Sequence, residues 1–587
     1  MIKWNIFFSH LLKHIVMPLH GNLIFCIFTY LVIIIESEIE YFDYKPKYLE
    51  TFIDIYILCL IINIFSKEKR IFVRFGISIV VYLLATIQYF CFHVFGTIIT
   101  PTVIQIVFET NQNEASNFFE TYITRDILTS RITTFPLLLL LHCFTILLGK
   151  KISQVNLAFK RTNYIGCIIF FAMAMGCYTY IKNKYHFAEL ILKNDIYEIE
   201  KSRNNTFGDG MYSPLYNIIY SIRANQLAYR QIDRLVDISS KTNKSICKTK
   251  TKNIVVVIGE SYNKYHSQLY GYNFETTPNQ IKRQIKGELY TFHDVISPWN
   301  ITSNAFKNLF SLYSYGDGKD WSFYPLFPVI FKSAGYTVFF LSSQFANKNS
   351  GDTSDFAGGF FINNKDLSNY MFSHRNKENH LQDYGLIEDF YSLRAHSTSN
   401  NLYIFHLVGQ HYTYNNRYPH DKRKFKASDY KDVPINNQQK ELLADYDNAT
   451  LYNDYILNEI INIFEKEESI LIFLSDHGEE IYDDGNFVGR RHPTKLTPSI
   501  AKYEFEIPFW IWCSDMFKKN RPNIVKEISN SRYKKVMSDD LPHLLIYIGG
   551  IESPDYCEDH NIISPEYHQR RPRLLRGNED YDTLIKR

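Results

Sequence analysis

Asn253-Ile-Val-Val-Val-Ile258, followed at once by Gly259-Glu260-Ser261, is a short apolar run that ends on a carboxylate. The same design recurs twice. Leu402-Tyr-Ile-Phe-His-Leu407 runs into Val408-Gly409-Gln410-His411, and Ile470-Leu-Ile-Phe-Leu474 runs into Ser475-Asp476-His477-Gly478-Glu479. Runs of this length and composition read as buried strands. In an open α/β sheet the ligand crevice lies outside the carboxyl ends of the strands. Three strands are therefore expected to deliver Glu260, His411 and the Asp476-His477 pair to one edge. Carboxylate and imidazole are the ligands that borderline divalent metals such as zinc accept.

The surrounding sequence extends the pattern. Thr337-Val-Phe-Phe-Leu341 and Phe509-Trp-Ile-Trp512 read as further strands, the second after Pro508. Leu451, Ile456, Ile460 and Ile463 mark a helical stripe that belongs to a core. Strand-like runs alternating with helix-like ones predict a mostly parallel sheet covered by helices.

The front of the chain is different. Five apolar stretches, at about 15–35, 49–65, 75–96, 133–149 and 163–181, approach the length that crosses a hydrocarbon layer. The alternative for the shorter ones is a buried core helix, but the flanking charge argues for membrane. Lys3 and Lys13 precede the first; Lys67, Lys69, Arg70 and Arg74 separate the second from the third; Lys150, Lys151, Lys160 and Arg161 separate the fourth from the fifth. Glu36, Glu38, Glu40 and Asp43 occupy the first intervening loop. The positive-inside rule then places the N-terminus in the cytoplasm and the chain beyond residue 182 outside. No small-residue cleavage site follows the first stretch, which reads as retained.

The expected organisation is a transmembrane domain of five helices over 1–182, an amphipathic connector over 183–250 and a catalytic domain over 251–587. In the connector, Pro214 suits a first helical turn, and Leu215, Ile218, Ile219 and Ile222 share one helix face. That face would lie on the membrane surface or pack on the next domain. A net charge of +3 over 587 residues gives no argument for nucleic acid. Of the nine cysteines only Cys247, Cys513 and Cys557 lie in the outer part, so at most one bridge forms there. The basic run Arg570-Arg-Pro-Arg-Leu-Leu-Arg576 reads as a solvated tail, with anionic lipid as the other option.

Phosphoryl chemistry at a metal needs a nucleophile beside the ligands. Ser297-Pro-Trp-Asn-Ile-Thr302-Ser-Asn-Ala-Phe-Lys-Asn-Leu-Phe-Ser311 offers Thr302 at the start of a helix, where free N–H groups and the positive dipole end suit a phosphate. Taken alone, Thr302 reads first as a helix N-cap.

Together these residues resemble a known family. Gly259-Glu260-Ser261 followed by Leu269-Tyr-Gly-Tyr-Asn-Phe-Glu-Thr-Thr-Pro278 resembles the opening signature of the membrane phosphoethanolamine transferases, members of the alkaline phosphatase and sulfatase superfamily. His406-Leu-Val-Gly-Gln-His411, Asn416-Arg-Tyr-Pro419, Tyr446-Asp-Asn-Ala-Thr-Leu-Tyr452 and Ser475-Asp-His-Gly-Glu-Glu480 resemble its later blocks, in order. Ser297-Pro298, Thr302 and Glu479-Glu480-Ile-Tyr-Asp483 are most similar to the subgroup acting on lipopolysaccharide core heptose. Pro298 and Lys307 stand where the lipid A branch carries cysteines, and no formylglycine context typical of sulfatases proper surrounds Thr302.

The resemblance implies a C-terminal α/β sulfatase-like (alkaline phosphatase-like) domain in the periplasm, behind five inner-membrane helices. It implies that Thr302 is the nucleophile and that Glu260, Thr302, Asp476 and His477 hold zinc. His411 and His492 match histidines that bind the phosphoethanolamine group or a second zinc. Thr110 and Glu114 match positions proposed to meet the donor head group; a solvated interfacial helix is the alternative there, and Ile106 replaces an Asn that the family often carries. The implied donor is phosphatidylethanolamine and the acceptor is lipopolysaccharide at inner-core heptose. Lipid A, another periplasmic acceptor, or a glycerol phosphate donor would be variants of the same reaction. A catalytically silent lipopolysaccharide-binding membrane protein is the alternative of another class.

Overall fold

The computed structural model describes residues 2–37, 48–95, 99, 101, 103–104, 131–152, 162–194, 199, 213–242, 246–248, 250–316, 319–345, 361–485, 487–491, 496–576 and 579–586. The chain divides into two compact units, Met1–Ala228 and Tyr229–Arg587.

Among the described residues of the first unit, two helices are long and apolar enough to cross a membrane, Lys67–Cys91 and Tyr164–Leu192. A third candidate is a pair, His10–Leu19 and Leu23–Glu36, bent by 63°. The first expected span is therefore broken rather than continuous. Pro18 lies inside the preceding helix, has no N–H to continue the ladder, and the helix stops at His20. The break is polar and satisfied, as an apolar environment requires. Asn22 Nδ2 donates to Pro18 O at 2.8 Å, while Arg74 donates to Asn22 Oδ1 and Gly21 O at 2.8 Å each. The two remaining expected stretches fall on helices Tyr48–Ile64, of 17 residues, and Thr134–Ile152, of 19 residues.

Helix Ser213–Lys241 begins with Pro214 in its first turn. Of the expected stripe, Leu215, Ile219 and Ile222 stay exposed and Ile218 is half-buried, while Tyr220, Ala224 and Leu227 form the buried face.

The second unit is built on a seven-stranded sheet. Its strands are β1 (Asn253–Gly259), β2 (Leu289–Phe292), β3 (Thr337–Ser342), β4 (His374–Arg375), β5 (Asn401–His406), β6 (Ser469–Ser475) and β7 (Phe509–Cys513). They lie in the order β2-β7-β6-β1-β5-β3-β4. β1 pairs in parallel with both β5 and β6, and β3 continues the parallel set between β5 and β4. β7 runs antiparallel to its neighbours β6 and β2.

The sheet is buried on both faces, which explains why its strands read as unbroken apolar runs. Ile254, Val256, Ile258, Ile404 and Ile472 enter one core, while Val255, Val257, Phe405, Phe473 and Trp510 enter the other. The second core is covered by helix Asn437–Phe464, whose Ile456 and Ile460 are fully buried.

The basic run near the C-terminus is not a solvated tail. Arg571 pairs with Asp539 at 2.5 Å and Asp540 at 2.9 Å. Arg573, only 2% exposed, pairs with Asp294 at 2.5 Å and Asp582 at 2.8 Å. Composition could not reveal this, because Asp294 lies 279 residues away in sequence. The pairing braces the approach to Thr302. Asp294 opens the short strand Asp294–Ile296 that leads into Ser297–Thr302, and Arg576 N donates to Pro298 O at 3.0 Å. Arg573→Ala leaves Asp294 without its guanidinium, while Asp582 keeps Lys535 at 2.6 Å, and is expected to destabilise this unit by about 3 kcal/mol. Chemical denaturation of the full chain in detergent measures it; a change under about 0.5 kcal/mol would show the pair to be solvated.

Candidate metal centre and its surroundings

The parallel register decides what meets at the sheet edge. Ile258 lies opposite His406 on one side and Leu474 on the other, and Gly259 lies opposite Ser475. The three strands therefore end level. Glu260 and Asp476-His477 emerge side by side although 216 residues separate the two carboxylates. The crossing is tight. Gly409 has φ +45°, and a Cβ there would sit 3.0 Å from Glu260 O. Ser261 takes φ +56°, a strained value for a residue with a Cβ. It is held by Asp476 Oδ1 on its N–H at 3.2 Å and by the Tyr446 hydroxyl on its carbonyl at 2.7 Å.

Glu260, Asp476 and His477 are fully buried and bring one ligand atom each within 4.8 Å of one another. Thr302 joins them. It is the first residue of helix Thr302–Phe310, whose N-cap is Ile301. Its hydroxyl donates to Glu260 Oε2 at 3.1 Å and lies 3.2 Å from His477 Nε2. The N-cap alternative is thereby removed. The short strand before it and the fully buried helix after it hold the residue in place.

The electrostatics fit a cation. His477 Nδ1 lies 2.8 Å from Gly478 O, which commits that nitrogen as donor and turns the Nε2 lone pair towards the cluster. Burial lowers the pKa of His477, aided by the Arg490 charge, which disfavours the imidazolium. Burial and the nearby Glu260 charge raise the Asp476 carboxyl well above its usual range. Burial opposes the charge on Glu260 as well, but His477, His411 and Arg490 hold its carboxyl well below the usual range. Asp476 Oδ2 is buried without a hydrogen-bond partner. Two carboxyl groups, an imidazole nitrogen and a hydroxyl converge with one carboxyl oxygen left without a hydrogen bond. That donor set suits zinc.

The support around the cluster is extensive. Gln344 Nε2 donates to Glu260 Oε2 at 3.3 Å and to Leu407 O at 3.2 Å. Asn300 Nδ2 donates to Glu504 at 2.7 Å, two residues before Thr302. The Tyr414 hydroxyl donates to Glu479. His266 ties the loop after β1 to the loop after β6. Its Nδ1 lies 2.7 Å from Asp447 and its Nε2 lies 3.4 Å from Asp483, which also accepts from Asn263 at 2.8 Å.

Burial disfavours the His266 charge, but Asp483 and Asp447 outweigh it and push the imidazole up to about 10. A histidine whose pKa is higher folded than unfolded contributes stability that is complete below about 6.5 and lost as pH rises through the folded value. His266→Gln is therefore expected to lower Tm most near pH 6, with the difference shrinking towards pH 10. Thermal melts across that range test it, and a Tm loss independent of pH would remove the charge from the account.

Of the residues singled out from sequence, Glu260, Asp476, His477 and Thr302 come together. His411 is half-buried in the loop after β5; its charge reaches Glu260, but its ring is not one of the converging ligand atoms. His492, Thr110 and Glu114 lie outside the described residues. Sequence reasoning missed Gln344, His266 and Arg490. Gln344 follows β3 directly, so the carboxyl-end argument applied to that strand would have found it. His266 and Arg490 sit in loops and carry no periodic signal.

Comparison with known proteins places this site in context. The sulfatase family model matches residues 252–550. Phosphoethanolamine transferase EptC of Escherichia coli K12 is 26% identical over 547 residues, 89% of each chain. Phosphoethanolamine transferase EptA of Helicobacter pylori is 33% identical over 278 residues, 45% of this chain and 48% of that one. Among solved structures, the C-terminal periplasmic domain of EptC from Escherichia coli, in complex with Zn, superimposes with a TM-score of 0.51 at 24% identity. The superposition covers 58% of this chain and 98% of that domain.

Proposed function

This chain belongs to the sulfatase family, and on that premise we propose that it is an inner-membrane phosphoethanolamine transferase with its catalytic unit in the periplasm. The donor is phosphatidylethanolamine and the acceptor is an inner-core heptose of lipopolysaccharide. Transfer runs through a covalent phosphoethanolamine on Thr302. The observation that carries this reading is the Thr302 hydroxyl, uncommitted to capping and set against both Glu260 and His477 at the positive end of a buried helix. The relatives named phosphoethanolamine transferases support it, one of them along 89% of the chain.

Glu260, Asp476, His477 and Thr302 would hold zinc, which as a Lewis acid lowers the pKa of the hydroxyl and offsets phosphoryl charge. In the first half-reaction a bond forms between Thr302 Oγ1 and phosphorus as the bond from phosphorus to the diacylglycerol oxygen breaks. The threonine proton ends on the departing diacylglycerol. In the second, an acceptor hydroxyl oxygen takes the phosphoryl group, loses its proton, and Thr302 regains one. His411 and His492 are assigned to holding the phosphate or moving these protons. Glu114, with Thr110, is assigned to the ethanolamine ammonium.

The membrane is part of this proposal, since donor and acceptor are both lipids. Five spans are proposed, the two shorter ones on Tyr48–Ile64 and Thr134–Ile152. The exposed stripe of Leu215, Ile219 and Ile222 suits the bilayer surface.

Mass spectrometry of lipopolysaccharide from cells with and without the gene, lipid A and core separated, tests the reading. A phosphoethanolamine increment on the core that disappears on deletion is expected. An increment on lipid A keeps the reaction and replaces the acceptor. No increment on either, with lipopolysaccharide bound but not modified by the purified protein, would leave a silent binding protein.

A further inference from the structure

The proposed reaction puts charge on the phosphate that a second cation, beside the proposed zinc, would help to carry. The donor phosphodiester is an anion, and it must approach Glu260 and Asp476, two carboxylates. Charge then builds on the non-bridging oxygens as the transfer proceeds. Arg490 turns its charge inward here. Its Nη1 lies 2.7 Å from His477 Nε2, the same nitrogen that stands 3.2 Å from the Thr302 hydroxyl. Its charge bears on Glu260, Asp476 and His477 alike. The guanidinium also lies 3.4 Å from Asn300 O and 3.7 Å from Glu479 Oε2, and is about a quarter exposed. Arg491, next in sequence, serves otherwise. Its Nη2 closes on Glu480 at 2.8 Å, its plane lies 4.4 Å from the centre of the Phe487 ring, and its N–H reaches Glu504. One arginine locks the loop and the other reaches the imidazole that stands beside Thr302.

We propose that Arg490 is a phosphate-binding residue of this site: its guanidinium grips two non-bridging oxygens of the donor phosphodiester and sets phosphorus in line with Thr302 Oγ1. A planar fork of N–H groups suits that task better than the point charge of lysine. The bond changes are those of the transferase reaction, with Oγ1–P forming and P–O to diacylglycerol breaking, and Arg490 exchanges no proton. The inference rests on the transferase reading but predicts a binding property that can be measured without turnover.

The test uses the full-length, metal-loaded protein in detergent, with inorganic phosphate as the probe and calorimetry for Kd. Arg490→Gln is expected to weaken phosphate binding by about 10- to 100-fold while metal content stays unchanged, and Arg490→Lys to recover part of the loss. With phosphatidylethanolamine as donor, Arg490→Gln is expected to lower kcat as well as raise KM. Unchanged phosphate affinity in Arg490→Gln overturns the proposal. So does loss of metal in that variant, which would make Arg490 a support of the ligands. Wild-type protein that binds phosphate through Arg490 but moves no phosphoethanolamine overturns the transferase reading alone.

Discussion

Thr302→Ala is expected to abolish transfer, by about 1000-fold or more, while leaving the fold intact. The side chain is buried but small, and its hydroxyl caps no helix, so its loss removes no backbone hydrogen bond. The first helical turn keeps its N–H groups and its dipole, so phosphate affinity survives where nucleophilicity does not. A residue that forms the covalent intermediate cannot be replaced by binding energy from elsewhere. Incubation of wild type with donor, without acceptor, is expected to add one phosphoethanolamine mass to the peptide carrying Thr302, and the Ala variant none. Wild-type-like turnover in the variant would remove Thr302 from the mechanism. Thr302→Ser is the matching control: it keeps the oxygen and is expected to retain measurable transfer.

Glu260→Ala and His477→Ala are each expected to strip the site of its metal and, with it, activity. Partners in the outer shell of a metal site are commonly worth about 10- to 100-fold in affinity, so direct ligands are expected to exceed this, on the order of 1000-fold. The physical reason lies in the burial. Glu260, Asp476 and His477 have no solvent to fall back on. Removing Glu260 leaves Asp476 as the one carboxylate, already raised well above its usual range by burial. Removing His477 deletes the nitrogen whose tautomer Gly478 sets. Metal content by mass spectrometry after dialysis measures the effect. Zinc retained at wild-type stoichiometry in either variant would place the metal elsewhere. The Arg490 variants provide the contrast, because they are expected to keep metal and lose phosphate.

Much of the site was legible from short stretches. β1, β5 and β6 were each visible as apolar runs because both sheet faces are covered, and the residue that follows such a run lies at the carboxyl edge. Edge strands were less visible. β2 and β4 were not singled out: the first is four residues long and the second two. The break at Gly21–Asn22 was hidden inside an apolar stretch whose mean composition outweighs one proline. The exposed stripe of helix Ser213–Lys241 was found as a periodicity, but periodicity does not say which face is covered.

By itself the sequence determined the local elements and the chemistry they end on: apolar strands, a carboxylate, an Asp-His pair, and a threonine at a helix start. These depend on nearest-neighbour preferences and side-chain type, which act over a few residues. Tertiary structure decided strand order, and with it the meeting of Glu260, Thr302 and His477. It also decided that Arg573 is buried against Asp294, that His266 is a buried cation between Asp447 and Asp483, and that Arg490 rather than Arg491 reaches His477. Each of these contacts joins residues distant along the chain or chooses between adjacent ones. What a charge or hydroxyl does depends on which partner the fold places within about 3 Å, and no local pattern encodes that distance.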